Sequence, residues 1–264
     1  MQMVAASKMR KAQQLAIEVR PFVRLLYRIQ RMATTQAEDY THPLMDVRPV
    51  RTRAVVLVAA DKGLCGSLNT NVFRLATQYD AASTVFITAG RKASQFIAQT
   101  RRRLIAEFAY GDTPQFAESR AIVAMARDLF LKGDVDAVDV IASRFINTLT
   151  QQALAIPLLP IGDITGLEIP GLSPRDAKAL PLDVLFEPNA ADIVNYAIGH
   201  YLNVFVHVVL LNAKASEQSA RMVSMQNATD SAAEMIRSLT LEYNKLRQGR
   251  ITQQLLEIAG GAAA

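Results

Sequence analysis

Tryptophan is absent from the 264 residues, cysteine occurs once and histidine three times. The lone Cys65 excludes a disulfide framework and a cysteine-based zinc site, and it suits a reducing compartment. His42, His200 and His207 leave little material for a metal centre, and no metal or cofactor is expected. Aromatic residues make up 6%, which weakens any reading built on stacking bases. Long apolar runs are missing too: the longest uninterrupted one is 54–60, and 204–211 spans eight residues only with His207 included. A spanning helix needs ~20 apolar residues, so no direct membrane insertion is expected. The opening MQMVAASKMRKAQ lacks the apolar core of a signal peptide. Charge is nearly balanced, with Lys+Arg 29 against Asp+Glu 24, which permits acidic partners without demanding nucleic acid. What is present in quantity is apolar: 50% hydrophobic against 20% charged, enough to bury a core and to exclude wholesale disorder. These properties predict a soluble intracellular chain of one or two domains.

Glycine and proline divide the chain into three parts. Residues 1–37 hold no glycine and one proline, Pro21. Apolar or small residues at Ala5, Met9, Ala12, Ala16, Val19, Val23 and Leu26 alternate in 3-4 spacing, the signature of a helix with a coiled-coil seam. Pro21 removes one hydrogen bond, and because the register continues across it a tolerated kink is expected. Residues 38–188 carry nine of the ten prolines. Here the apolar runs 53–60, 84–90 and 138–143 read as strands buried on both faces, separated by helical segments at 92–100 and 118–132, the latter closed by Gly133. Strands alternating with helices predict a small open α/β, Rossmann-like sheet with parallel pairs. The Pro- and Gly-rich stretch 157–188 reads as irregular, with one further strand candidate at 182–186. Residues 189–264 lack proline altogether, and Met222, Met225, Thr229, Ala232, Ile236, Leu239, Tyr243 and Leu246 keep a 3.5-residue spacing. A helix of about seventy residues would be roughly 105 Å long. It needs a partner, and the N-terminal helix is the obvious one. The fold expected is therefore an α/β domain inserted between two terminal helices paired as a coiled coil.

Four local features bear on chemistry. Asp61-Lys-Gly-Leu-Cys-Gly-Ser-Leu-Asn69 follows a buried strand, yet it is neither GxGxxG nor GxxxxGK[ST], so a tight strand-to-helix turn is favoured over a phosphate cradle. Cys65 has no histidine near it in sequence to activate it. His200 and His207 share a helix face without neighbouring carboxylates, which fits packing rather than ligation. Arg101-Arg-Arg103 at a helix end reads as a cap rather than a nucleic-acid patch. In the C-terminal segment, Arg247 with Gln248 and Thr252 could present donors outward from the helix.

Four longer motifs carry a family resemblance: MVAASKMRKAQ at 3–13, DKGLCGSLN at 61–69, SEQSARMVSMQNATDSA at 216–232 and YNKLRQGRITQQLLEIAGGA at 243–262, with RFINTLTQ at 144–151 between them. In this order they resemble the gamma subunit of the F-type ATP synthases over the whole chain. The resemblance implies an antiparallel coiled coil of the terminal helices whose C-terminal end sits inside a ring of alpha and beta subunits. It also implies an α/β domain that docks with the epsilon subunit and the ring of c subunits. Such a subunit is a rotor shaft coupling proton flow to ATP synthesis on the beta subunits, with no catalytic residue of its own. The residues that match the family's beta-subunit contacts are Arg247, Gln248 and Thr252 near the C-terminus, and Met1 and Lys8 on the first helix. Two departures stand out. Family members begin about two dozen residues earlier, so the inner end of the C-terminal helix is expected to lack its partner. The family's ITxE glutamate position is Gln254 here. Without a transit peptide or the cysteine-pair insertion of chloroplast versions, a bacterial origin and a peripheral place on the cytoplasmic side of the inner membrane are expected.

Two other classes compete with that reading: a nucleotide-binding α/β enzyme built on residues 53–145, and a homodimeric coiled-coil scaffold self-associating through 222–246. The first requires nucleotide binding by the isolated chain and the second self-association without other subunits.

Overall fold

The computed structural model describes residues 3–15, 17–19, 21, 42–161 and 190–261. Helix α1 covers 3–15 and continues at 17–19 and 21, so Pro21 is itself helical. A 3-10 turn at Pro43–Met45 leads into β1 (Arg53–Val58), α2 (Leu68–Thr77), β2 (Thr84–Ala89), α3 (Arg91–Gln99), β3 (Arg103–Phe108), α4 (Phe116–Lys132), β4 (Ala137–Phe145), β5 (Gln151–Leu159) and α5 (Ala190–Gly261). The five strands form one sheet in the order β3-β2-β1-β4-β5, parallel except for β5, which runs antiparallel to β4.

The central strand explains its own sequence. β1 is covered on both faces, so the alternation of a half-exposed strand is replaced by an unbroken apolar run. Val55, Leu57, Phe86 and Ile141 face α2 and α3 on one side. Val56, Val58, Ile87, Val138 and Val140 share the other side with Ile122 and Phe130 of α4 and with Ile198, Leu202, Phe205 and Val209 of α5. The one carboxylate in this core, Asp139, accepts from Arg53 at 2.6 Å and from Tyr79 at 2.8 Å. Burial and that bond push the Tyr79 phenol well above its usual range.

The expected strands at 53–60, 84–90 and 138–143 and both expected helices are present. β3 and β5 are additions, and each has a physical reason for being hard to read. β3 is an edge strand with Arg103, Leu104 and Ile105 exposed, so it lacks a buried run. Pro157 lies within β5, at the sheet edge, where a missing N–H is tolerated. The stretch expected to be irregular therefore begins inside a strand, and the strand candidate at 182–186 lies outside the described residues. The arginine run caps a helix other than the one it follows: Arg102 donates to the carbonyls of Ala76 (3.1 Å) and Tyr79 (2.9 Å) at the C-terminal end of α2 rather than of α3.

α5 is 72 residues long, roughly 110 Å at ~1.5 Å per residue. Its length and composition would suffice for a membrane span, but 72% of its most apolar window is buried inside the protein, as befits a core helix. Between Val208 and Ala220 every residue is buried, including Asn212, Lys214, Ser216, Glu217, Gln218 and Ser219. α1 packs beside this stretch in the opposite direction. Val4, Ala5 and Lys8 line a cleft with Lys214, Glu217 and Arg221, whereas Val19 reaches the cluster containing Ile198 to Ala213. Ala5, Met9 and Ala12, the first three seam positions, are buried. The second seam behaves differently. From Gln226 to Ile258 every residue of α5 is exposed, and Ile236, Leu239, Tyr243 and Leu246 each leave more than half of their surface in solvent. The intramolecular pairing thus occupies the part of α5 up to Arg221, and the heptads beyond it are bare.

Two outcomes follow from this packing. Gly90 sits at φ +95°, with its N–H on Phe108 O, and a Cβ there would lie 2.0 Å from the Ala59 carbonyl oxygen. Gly90→Ala is expected to cost at least about 3 kcal/mol in urea denaturation, because both the backbone angle and the contact forbid it. His207, at the α4–α5 contact, lies edge-on to Phe116 at 5.5 Å, and its buried Nδ1 has no hydrogen-bond partner among the described residues. Burial lowers its pKa below 6.5, against a smaller opposing effect of Glu118. A base with a depressed folded pKa contributes stability that is complete above its unfolded pKa and is lost as pH falls through that value. Denaturation midpoints are therefore expected to fall from pH 7 toward pH 5, and His207→Leu to flatten that slope.

Candidate functional site

In a doubly wound sheet, ligands bind beyond the carboxyl ends of the strands at the point where the strand order reverses. Here that point lies between β1 and β4, and the chain's own helix occupies it. Ser216 of α5 donates to Ser143 O at the end of β4 (3.4 Å), and Ser219 donates to Thr148 O beyond it (2.7 Å). Arg221 reaches the loop after β1, donating to Lys62 O at 3.3 Å and Gly63 O at 3.4 Å.

That loop, Asp61 to Asn69, is a tight turn in the favoured sense. Leu64 and Gly66 take φ +64° and +58°, reversing the chain so that α2 can start at Leu68. Asn69 Oδ1 accepts from Ala60 N at 3.2 Å, while its Nδ2 donates to Cys65 Sγ at 3.4 Å. The turn aims two carbonyls at a guanidinium, the reverse of the N–H groups a phosphate cradle requires. The N-terminus of α3 is also taken, since Asp61 Oδ1 accepts from Arg91 N at 3.0 Å. Cys65 is buried, and burial pushes its thiol up, partly offset by Arg221. It is an inert packing residue rather than a nucleophile.

What remains open is a cleft of about 360 Å³ bounded by α1, α5 and the loops after β1 and β3. Five of its charged residues are paired with one another. Asp112 receives Lys8 on one carboxylate oxygen and lies 3.4 Å from Lys214 on the other. Lys214 also meets Glu217 at 3.1 Å, and Glu217 meets Arg221 at 2.7 Å. Lys8's hydrogen bond holds the Asp112 carboxyl below its usual range. Tyr110 packs beside Lys214: its hydroxyl donates to Ala59 O at 3.0 Å, and its ring centre lies 5.1 Å from Lys214 Nζ. Burial pushes this phenol far up, with Glu217 next in effect. His200 and His207 both pack against the Phe116 ring, and among the described residues no group of three or more His, Cys, Asp or Glu could hold a metal.

The expected contact residues fall in two separate places. Lys8 lies in the cleft, with its ammonium on Asp112. Arg247, Gln248 and Thr252 sit on the bare end of α5, with Arg247 about 33 residues and thus roughly 50 Å beyond Lys214. Met1 lies outside the described residues. Along the bare helix polar side chains bond to the helix itself: the hydroxyls of Thr229, Thr240 and Thr252 donate to Met225 O, Ile236 O and Gln248 O at 2.7–2.9 Å. Gln226 pairs with Asp230 and Gln253 with Glu257, each one turn on. Lys214 and Asp112 had not been singled out from sequence. The available signal was a lysine and a glutamate three apart inside an apolar helical run, which calls for burial with a partner.

The fold and site together define a class: a small doubly wound domain whose ligand crevice is filled by its own helix and which carries that helix out into solvent as a shaft. The family model described as ATP synthase matches residues 1–264. The chain is 41% identical to the ATP synthase gamma chain of Opitutus terrae, over all of this chain and 91% of that one. It is 37% identical to the gamma chain of Polynucleobacter asymbioticus, over all of this chain and 92% of the other. Among solved structures, a chain from the central stalk and c-ring of the Tetrahymena thermophila mitochondrial ATP synthase shares the fold at TM-score 0.64 and 24% identity, covering 86% of this chain and 97% of that one. A chain of the Euglena gracilis mitochondrial ATP synthase does so at TM-score 0.63 and 15% identity, covering 100% and 94%. The chain belongs to the ATP synthase gamma chain family, and so to the non-catalytic, membrane-peripheral part of that complex.

The crevice analysis carries a direct test. Arg221→Ala leaves Glu217 with one ionic partner and removes the guanidinium from two loop carbonyls, and is expected to destabilise the chain by about 2–3 kcal/mol in chemical denaturation.

Proposed function

We propose that this chain turns as the central rotor shaft of an F-type ATP synthase, coupling proton flow through the membrane sector to ATP synthesis on the beta subunits. The observation that carries the reading is the bare stretch of α5, residues 226–258, whose apolar side chains have no cover within the described chain. Contiguous exposed apolar surface of this extent marks a binding surface, and a ring of alternating alpha and beta subunits would bury it from all sides. Because a single helix presents a different surface in each direction, three beta subunits around it meet three different faces. Rotation then shifts each among its conformations by differential contact, with no chemistry on the shaft. The filled ligand crevice supports a role without nucleotide binding and disfavours the α/β enzyme reading.

Arg247 and Gln248 would meet an acidic loop of a beta subunit, since a planar guanidinium binds a carboxylate bidentately. Thr252 lies beside them, its hydroxyl proton already used within the helix and its lone pairs able to accept. Lys8 and Met1 would serve the beta lever region at the outer end of the cleft. The three units 1–37, 38–188 and 189–264 divide the labour: the helices carry torque, and the α/β domain docks with epsilon and the c-ring on the cytoplasmic side of a bacterial inner membrane.

The deciding experiment is complementation. A synthase lacking its gamma chain should regain ATP-driven proton pumping with this chain, and the isolated chain should bind no nucleotide. The Arg247→Ala, Gln248→Ala double variant is expected to keep the melting temperature of the free chain, since exposed positions cost within ~0.5 kcal/mol, yet to lose ATPase rate or coupling in assembled complexes. Unchanged activity there would remove both residues from the contact.

A further inference from the structure

Lys214 is almost wholly buried, its side chain 2% exposed, and the proposed beta-subunit contacts make no use of it. An ammonium out of water is costly even when paired, and an apolar side chain of similar length would often be as stable there. Its value must then lie in direction rather than in net stability. Apolar contacts between helices resist separation but only weakly resist sliding or rolling, because they are non-directional. Charge-assisted hydrogen bonds fix an angle, and a buried polar residue is a known way of setting register between helices.

The charges at the cleft are linked in series. Lys8 of α1 holds Asp112 in the loop after β3, Asp112 holds Lys214, Lys214 holds Glu217, and Glu217 holds Arg221. Arg221 in turn grips two carbonyls of the loop after β1. The Tyr110 ring beside Lys214 is itself fastened to the end of β1. One network therefore joins both terminal helices to two loops of the sheet. It lies three turns before the point where α5 becomes bare. We propose that Lys214 is a positioning residue that locks α1, α5 and the α/β domain into one torsional unit where the shaft leaves the domain, so that rotation of the domain is delivered to the bare helix without slip. This rests on the rotor reading above.

The test uses the complete synthase carrying this chain, in closed vesicles, with ATP hydrolysis and ATP-driven proton uptake measured together. Lys214→Met keeps the length and removes the charge. The protons moved per ATP hydrolysed are expected to fall at least about two-fold while hydrolysis itself changes less, and Lys214→Arg to restore most of the ratio. If Lys214→Met does not assemble, Asp112→Asn at the half-exposed member of the same network should give the same fall. An unchanged ratio in the assembled variant overturns the proposal. So does a parallel loss of hydrolysis and pumping, or failure of both variants to assemble, since each marks a purely structural role. If the unsubstituted chain supports no pumping, the rotor reading fails rather than the joint.

Discussion

A helix of 72 residues cannot be covered by a domain whose strands are six to nine residues long. Burial ends where the sheet and α4 end, and everything further along α5 must find its cover elsewhere. That mismatch of lengths governs the molecule. From Val204 to Leu211 α5 is apolar except for His207 because it is packed nearly all round, and the latter part keeps a heptad pattern without an occupant among the described residues. The division falls just beyond Arg221, whose guanidinium bonds the loop after β1.

The same helix decides the chemistry. A doubly wound sheet offers a ready-made ligand site at its switch point, and this chain uses it as a socket. Serines 216 and 219 and Arg221 take the backbone carbonyls there, and Asp61 takes the α3 N-terminus. The loop after β1 turns carbonyls toward Arg221, and the first N–H of α3 is already bonded, so neither greets a phosphate. The fold is shared with nucleotide-binding proteins, but function lies in the site and not the fold.

Much of this was legible in the residues. The fully buried strands announced themselves by unbroken apolar runs, and α4 by its Gly133 stop in the left-handed conformation. The first three positions of the first seam, Ala5, Met9 and Ala12, are buried as the spacing predicted, while Ala16, Val23 and Leu26 lie outside the described residues. What stayed hidden was edge structure and context. β3 has no buried run to reveal it, β5 contains a proline, and periodicity alone does not tell a covered seam from a bare one. The motif residues Asp61 to Asn69 and Ser216 to Arg221 were visible as motifs. Their meeting was not, because it depends on where α5 crosses the sheet. Lys214 and Asp112 lie more than a hundred residues apart, and only the fold joins them.

The hydrogen bonds along the bare helix have a consequence for how it meets its surroundings. Thr229, Thr240 and Thr252 are each tied to a carbonyl one turn back, and Gln226 and Gln253 to carboxylates one turn on. Several of its polar groups are therefore satisfied by the helix itself, in water or out of it. A surface of this kind lets neighbouring walls pass with few bonds to break and remake at each step, so contact can be close while friction stays low. In mechanical terms, the stretch is finished like a journal made for a dry bearing.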